Sequence, residues 1–217
     1  MRPWSLPMKY TADKFLPRDR EDGAFCDLEI VCGGRRFPAH RNVEATRGVF
    51  EIKETSHVLV RRMLDYIYTG DYDRFDASTL AKKDHFSPQE VAKFETADHI
   101  TLHSKMMDLG DMYMIEGLTQ LTSEKFAEYL ENQTARDILV TIIPKVYDLE
   151  LEFDSFNKIR EIVTDCVRRK LVQVPLGDDI KESLRDTMIH RPEFVCGLLI
   201  SMIEALLASL SHFGIHQ

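Results

Sequence analysis

The run Cys26-Asp27-Leu28-Glu29-Ile30-Val31-Cys32-Gly33-Gly34-Arg35-Arg36-Phe37-Pro38-Ala39 decides the fold. Its even positions from Cys26 to Cys32 are apolar, with Asp27 and Glu29 between them. That period of two turns one face of a strand inward. Gly33-Gly34 supplies two residues free to take positive φ, as a two-residue hairpin turn requires, so Arg35–Ala39 is expected to return as a second strand. Pro38 has no amide to donate, which ends that strand or places it at a sheet edge. A short helix is expected over Arg41–Val49.

Beyond the hairpin the apolar spacing changes from two to three and four. Val60, Met63, Leu64 and Ile67 recur at helical spacing, and Gly70 stops the run. Residues 71–87 are charged and irregular, as a surface linker is. Ser87-Pro88-Gln89-Glu90 offers a cap, a proline at the first helical position and an acidic third position, so a helix should open there. Ile100–Tyr113 and Leu118–Leu130 read as a helical pair broken near Gly117. Thr134-Ala135-Arg136-Asp137 is a capping pattern opening a helix through Tyr147, with Pro144 predicting a kink. Ile159, Ile162, Val163, Cys166, Val167 and Leu171 make one apolar stripe; Ile180, Leu184 and Met188 make another. Pro192 opens a last helix, apolar nearly all round, to about Leu210. A small sheet followed by helices is an α+β chain.

Composition narrows the function. With 36 acidic and 28 basic residues among 217, the net charge of −8 argues against direct contact with nucleic acid, which needs concentrated Lys and Arg. Of the four cysteines, Cys26 and Cys32 would lie about 20 Å apart along one strand, too far to bridge. Reduced cysteines fit a cytoplasmic or nuclear protein. The opening Met-Arg-Pro-Trp-Ser-Leu-Pro lacks the apolar core of a signal peptide. Phe194–Leu210, at 17 residues with Glu204 among them, is expected to fall short of a membrane span. A helix so apolar must be covered by its own domain, by a partner or by lipid. Burial by the preceding helices is the expectation, with a partner or oligomer contact as the alternative.

Three ordered motifs resemble the BTB/POZ family. The first is the strand and Gly-Gly hairpin followed by Phe37-Pro38-Ala39-His40-Arg41. The second is Arg62-Met63-Leu64-Asp65-Tyr66-Ile67-Tyr68-Thr69-Gly70, a helix ending in Tyr-Thr-Gly. The third is Leu109-Gly110-Asp111-Met112-Tyr113-Met114-Ile115-Glu116-Gly117-Leu118, similar to the family's closing helical hairpin. With Val146-Tyr147 and Arg191-Pro192-Glu193-Phe194, the wording most resembles fungal members that carry a helical tail. The resemblance implies an extension over 1–21, a BTB/POZ-like domain over 22–130 with a variable linker at 71–97, and a helical region over 134–212. It departs from the family between His40 and Arg62, an interval expected to lack one sheet strand and part of a helix, leaving apolar surface open.

The resemblance implies a non-catalytic interaction module that homodimerises and recruits other proteins. One form is a substrate adaptor on a cullin-type ubiquitin ligase scaffold; the alternative is a transcriptional co-regulator that recruits corepressors. It further implies that Asp27 and Arg41 form a charged pair lining the dimer interface, where such a pair specifies geometry. His40 reads either with them or as a buried hydrogen-bonding residue at the strand-to-helix junction. No cofactor, metal or membrane partner is expected. His99 and His103, with Glu95 one turn earlier, share a helical face at metal-ligand spacing, but Ile100-Thr101-Leu102 between them carries no acidic base, and a solvated or half-buried face is the expectation. Cys166 and Cys196 read as core thiols. Neither a phosphate loop nor a serine elbow occurs.

Overall fold

The computed structural model describes residues 26, 28–39, 48–72, 87, 89, 99–149, 155–173 and 177–213. Asp27, His40 and Arg41 all lie outside them, as do Glu95 and nearly all of the 71–87 linker and the Ser87-Pro88-Gln89-Glu90 helix start. The described chain is mixed α+β and mostly helical. It divides into two compact units, Met1–Lys93 and Phe94–Gln217.

In the first unit, β1 (Leu28–Cys32) and β2 (Arg35–Ala39) form the antiparallel hairpin, with Leu28 opposite Ala39 and Cys32 opposite Arg35. Gly33 and Gly34 have φ of 55° and 79°, the left-handed pair a tight hairpin turn demands. Ile30, Cys32, Phe37 and Ala39 are buried, as the alternation requires. Pro38 faces Glu29 on the outer strand, since the sheet order is β2-β1-β3 and β2 is an edge. Arg36 Nη1 donates to Glu29 Oε2 across the ladder at 2.6 Å.

The third strand is a correction. Gly48–Ile52 is β3, parallel to β1 in the register Leu28 to Gly48 through Cys32 to Ile52. The expected helix over Arg41–Val49 cannot include Gly48 and Val49, and the interval thought to lack a strand contains one. Five residues, Gly-Val-Phe-Glu-Ile, suffice because β1 supplies the whole ladder along its free edge. Ile52 alone in β3 is buried; Val49 and Phe50 are exposed.

Ser56 then caps α1 (His57–Thr69), its hydroxyl accepting from the Val58 amide at 3.2 Å. Val58, Leu59, Val60, Met63 and Leu64 are buried, while Ile67 faces solvent. Gly70, with φ of 77°, closes the helix by donating its amide to the Tyr66 carbonyl at 2.7 Å. Thr69 Oγ1 lies 2.7 Å from the Asp65 carbonyl and 2.8 Å from that of Asp71, and buried Arg62 donates to the Tyr72 carbonyl at 2.7 Å. The Tyr-Thr-Gly-Asp-Tyr sequence is thus a helix stop held by its own side chains. Arg61 and Asp65, one turn apart and both buried, pair at 3.1 Å.

The second unit is helical. α2 (His99–Met112) and α3 (Glu116–Glu131) form a hairpin whose break falls at 113–115, where Met114 takes φ of 55°; Gly117, expected at the break, lies inside α3. The two helices meet so closely at Gly110 that a Cβ there would stand 2.5 Å from Thr119 Oγ1 and 3.0 Å from the Thr119 amide nitrogen. Thr134 caps the next helix by accepting from the Asp137 amide at 3.1 Å. That helix is α4 (Ala135–Asp137), a π-helical segment (Ile138–Ile142) and α5 (Ile143–Asp148). The expected kink at Pro144 takes this form. Pro144 has no amide for the Leu139 carbonyl, and Thr187 Oγ1, 3.3 Å away, fills the vacancy.

α6 (Ser155–Gln173), α7 (Asp178–His190) and α8 (Pro192–Phe213) complete the unit. Ile159, Val163, Cys166 and Val167 of the α6 stripe join Ile100, Met107, Phe126 and Leu130 of the hairpin, and Ile138, Leu139, Ile142 and Ile143 at the π segment, in one core. Ile180 and Leu184 of α7 pack on that core, whereas Met188 is exposed. Because the α2–α3 hairpin shares this core with the helices after it, the boundary expected at 130–134 does not coincide with a gap in packing.

Candidate interaction surface

α8 carries two apolar faces with different fates. Phe194 and Leu198, four residues apart, are buried in the core, with Val195 and Met202 partly buried against it. Phe194 meets Tyr147 edge to face, ring centroids 6.3 Å apart at 88°. Gly197 passes α6 near Thr164, and Arg168 fastens the next turn: its Nε donates to Ser201 Oγ at 2.9 Å and its Nη2 to Asp165 Oδ1 at 2.7 Å. These contacts hold the first half of α8 against α6.

The opposite face is open. Leu199, Ile200, Ile203, Leu206, Leu207 and Leu210 are 54–66 % exposed. The expectation that the preceding helices bury α8 is therefore corrected: one stripe is covered and the other is not, because α6 offers a partner along a single side. Cys196, expected in the core, is exposed as well. The length expectation is also revised, since the apolar run counts from Pro192, where the helix opens, rather than from Phe194. Its stretch Pro192–Leu210, 19 residues with mean hydropathy 1.9, is long and apolar enough to cross a membrane by length and composition.

Beside α8 lies an open cleft of about 700 Å³ lined by Tyr147, Arg160, Glu161, Asp165, Glu193 and Glu204 among others. Arg160 stacks its guanidinium 4.1 Å from the centroid of the Tyr147 ring. Burial pushes the Tyr147 phenol above its ordinary range, against the pull of the Arg160 cation. Burial lowers the Arg160 guanidinium in turn, while Tyr147 and Glu193 hold it up. The arrangement is a cation packed on an aromatic at the margin of the core, with carboxylates facing outward.

The other singled-out residues have structural places. His99 and His103 stack on one another at 5.8 Å, and His99 on Tyr129 at 5.2 Å, so the pair lies against an aromatic neighbour. Cys166 is buried, and burial raises its thiol above the ordinary range, as it does for Cys32, whose Sγ lies 3.1 Å from the Thr55 carbonyl. A partner contact by α8 stands as the alternative in the sequence, but its open face cannot be singled out there because apolarity all round hides two separate spacings. Leu199, Ile203, Leu206 and Leu210 alternate four, three, four, and Glu193 and Glu204 border them, which is the signal that could have separated the faces.

No family model matches the sequence, and no curated protein is significantly similar to it.

Proposed function

We propose that this chain is a non-catalytic protein–protein interaction module that pairs with itself and recruits other polypeptides, as the BTB/POZ family it resembles does. The observation that carries this reading is the open apolar stripe of α8, six large aliphatic side chains in solvent on a helix anchored by its other face. A contiguous patch of that kind marks a surface built to be covered by another molecule. The leading form is an adaptor for a cullin-type ubiquitin ligase.

Affinity purification of the full chain from its host lysate tests the reading. Recovery of cullin and neddylation machinery supports the adaptor. Chromatin factors and corepressors would move the assignment to a co-regulator. A strictly monomeric chain that captures no protein overturns the interaction reading altogether.

A further inference from the structure

We infer that the open stripe of α8 is a self-association surface whose occupant is the same stripe of a second copy; this rests on the interaction reading and names its partner for this helix. Four observations lead there. First, Leu199, Ile203, Leu206 and Leu210 alternate by four and three residues, the spacing that lets two helices pack along one seam, with Ile200 and Leu207 broadening it on one side. Second, no basic residue lies anywhere between Pro192 and Ser211, so the surface holds no cation with which to select an acidic partner. The four seam positions carry no charge, Glu193 and Glu204 lying to one side of them, so the seam is complementary to itself and a two-fold pair satisfies both copies at once.

Third, the area suffices. At the exposures given above, the six side chains leave roughly 600 Å² of apolar surface open on one chain, the upper end for a monomer's largest patch. Pairing two copies would remove up to about 1,200 Å² in all, the size at which specific, stable interfaces begin. Fourth, the helix is poorly placed to enter lipid. Spanning a bilayer would pull Phe194 and Leu198 out of the core, break the Arg168–Ser201 hydrogen bond and carry Glu193 and Glu204 with it. Covering the outer stripe with a second copy leaves every one of those contacts in place.

The test is the solution mass of the full chain by light scattering, compared with the double variant Ile203→Glu/Leu210→Glu. Both positions face solvent on the single chain, so the variant keeps its helical circular dichroism and melts cooperatively, at a temperature lowered by the loss of pairing. The comparison is repeated in an Asp27→Lys background, which separates pairing through the first unit from pairing through α8. The expected result is a two-fold drop in mass on changing α8 in both backgrounds, restored by the apolar variant Ile203→Leu/Leu210→Met. A mass indifferent to the α8 change in both backgrounds overturns the inference, even where the wild-type chain still dimerises or captures other proteins. Binding to phosphatidylcholine vesicles that the α8 change abolishes, without a change in mass in detergent-free buffer, overturns it in favour of lipid.

Discussion

Thr187 has one hydroxyl proton and two carbonyls within reach, its own helix's Ser183 at 2.8 Å and Leu139 at 3.3 Å. Leu139 is the carbonyl that a π-turn would pair with the amide that Pro144 lacks. Replacing Thr187 with Val leaves that buried acceptor short of a donor and should cost about 1–2 kcal/mol, read as a lower urea midpoint at unchanged slope. The thiols sort by the same logic of surroundings. Cys196, exposed on the single chain and in line with Leu199 and Ile203, should react with iodoacetamide in the Ile203→Glu/Leu210→Glu variant while Cys166 resists until denaturant is added, as peptide mapping would reveal. Tyr147 gives a pH dependence. Its folded-state value is raised, so the stability it contributes is fully present below the unfolded phenol's value of about 10 and is lost as pH climbs from there through the higher folded value. The alkaline fall in melting temperature should be shallower in Tyr147→Phe than in the wild type. The burial of Cys166 follows from its place on the α6 stripe, whereas the surroundings of Thr187 and Tyr147 depend on elements far along the chain.

At the scale of elements, ends were legible and partners were not. Gly33-Gly34, Gly70 and Thr134 each act within a few residues of themselves, so spacing and residue type suffice to place them. Gly70→Ala should lower stability by about 1 kcal/mol, because alanine at φ of 77° is strained. Gly110 differs: it sits in a regular helix, and its need for no side chain comes wholly from Thr119 on α3. Gly110→Ala should force the α2–α3 hairpin apart and cost about 2 kcal/mol, measured by chemical denaturation, with Gly110→Ser no better. β3 was misread for the mirror-image reason. Its five residues carry too short a pattern to separate strand from helix, and pairing along β1 settles the matter.

For the whole molecule, the resemblance implies a dimer through the first unit, and the α8 stripe adds a second contact of another kind. Charge reversal at Asp27 should reduce the size-exclusion mass on the first account alone; an unchanged mass removes Asp27 from the interface. Because the α2–α3 hairpin is built into the core of the second unit, cutting the chain after Leu130 would expose Phe126, Leu130, Ile100 and Met107 together. A fragment of residues 22–130 should therefore aggregate or fail to show cooperative melting, while the full chain does not. The domain boundary implied by the family resemblance is thus a poor place to divide this protein.

By itself the sequence determined the hairpin, its edge proline, the helix caps and stops, and the inward stripe of α6. All follow from backbone preferences and apolar periods that act over a few residues. The tertiary structure alone decided that Gly48–Ile52 is a strand, that Pro144 is accommodated by a π-turn with Thr187 as donor, and which face of α8 stays open. Each of these turns on what a distant element offers: an unpaired ladder, a spare hydroxyl, or only one side of a neighbouring helix. Local patterning states how a segment wishes to fold, and only the packed neighbours determine which of its surfaces they leave uncovered.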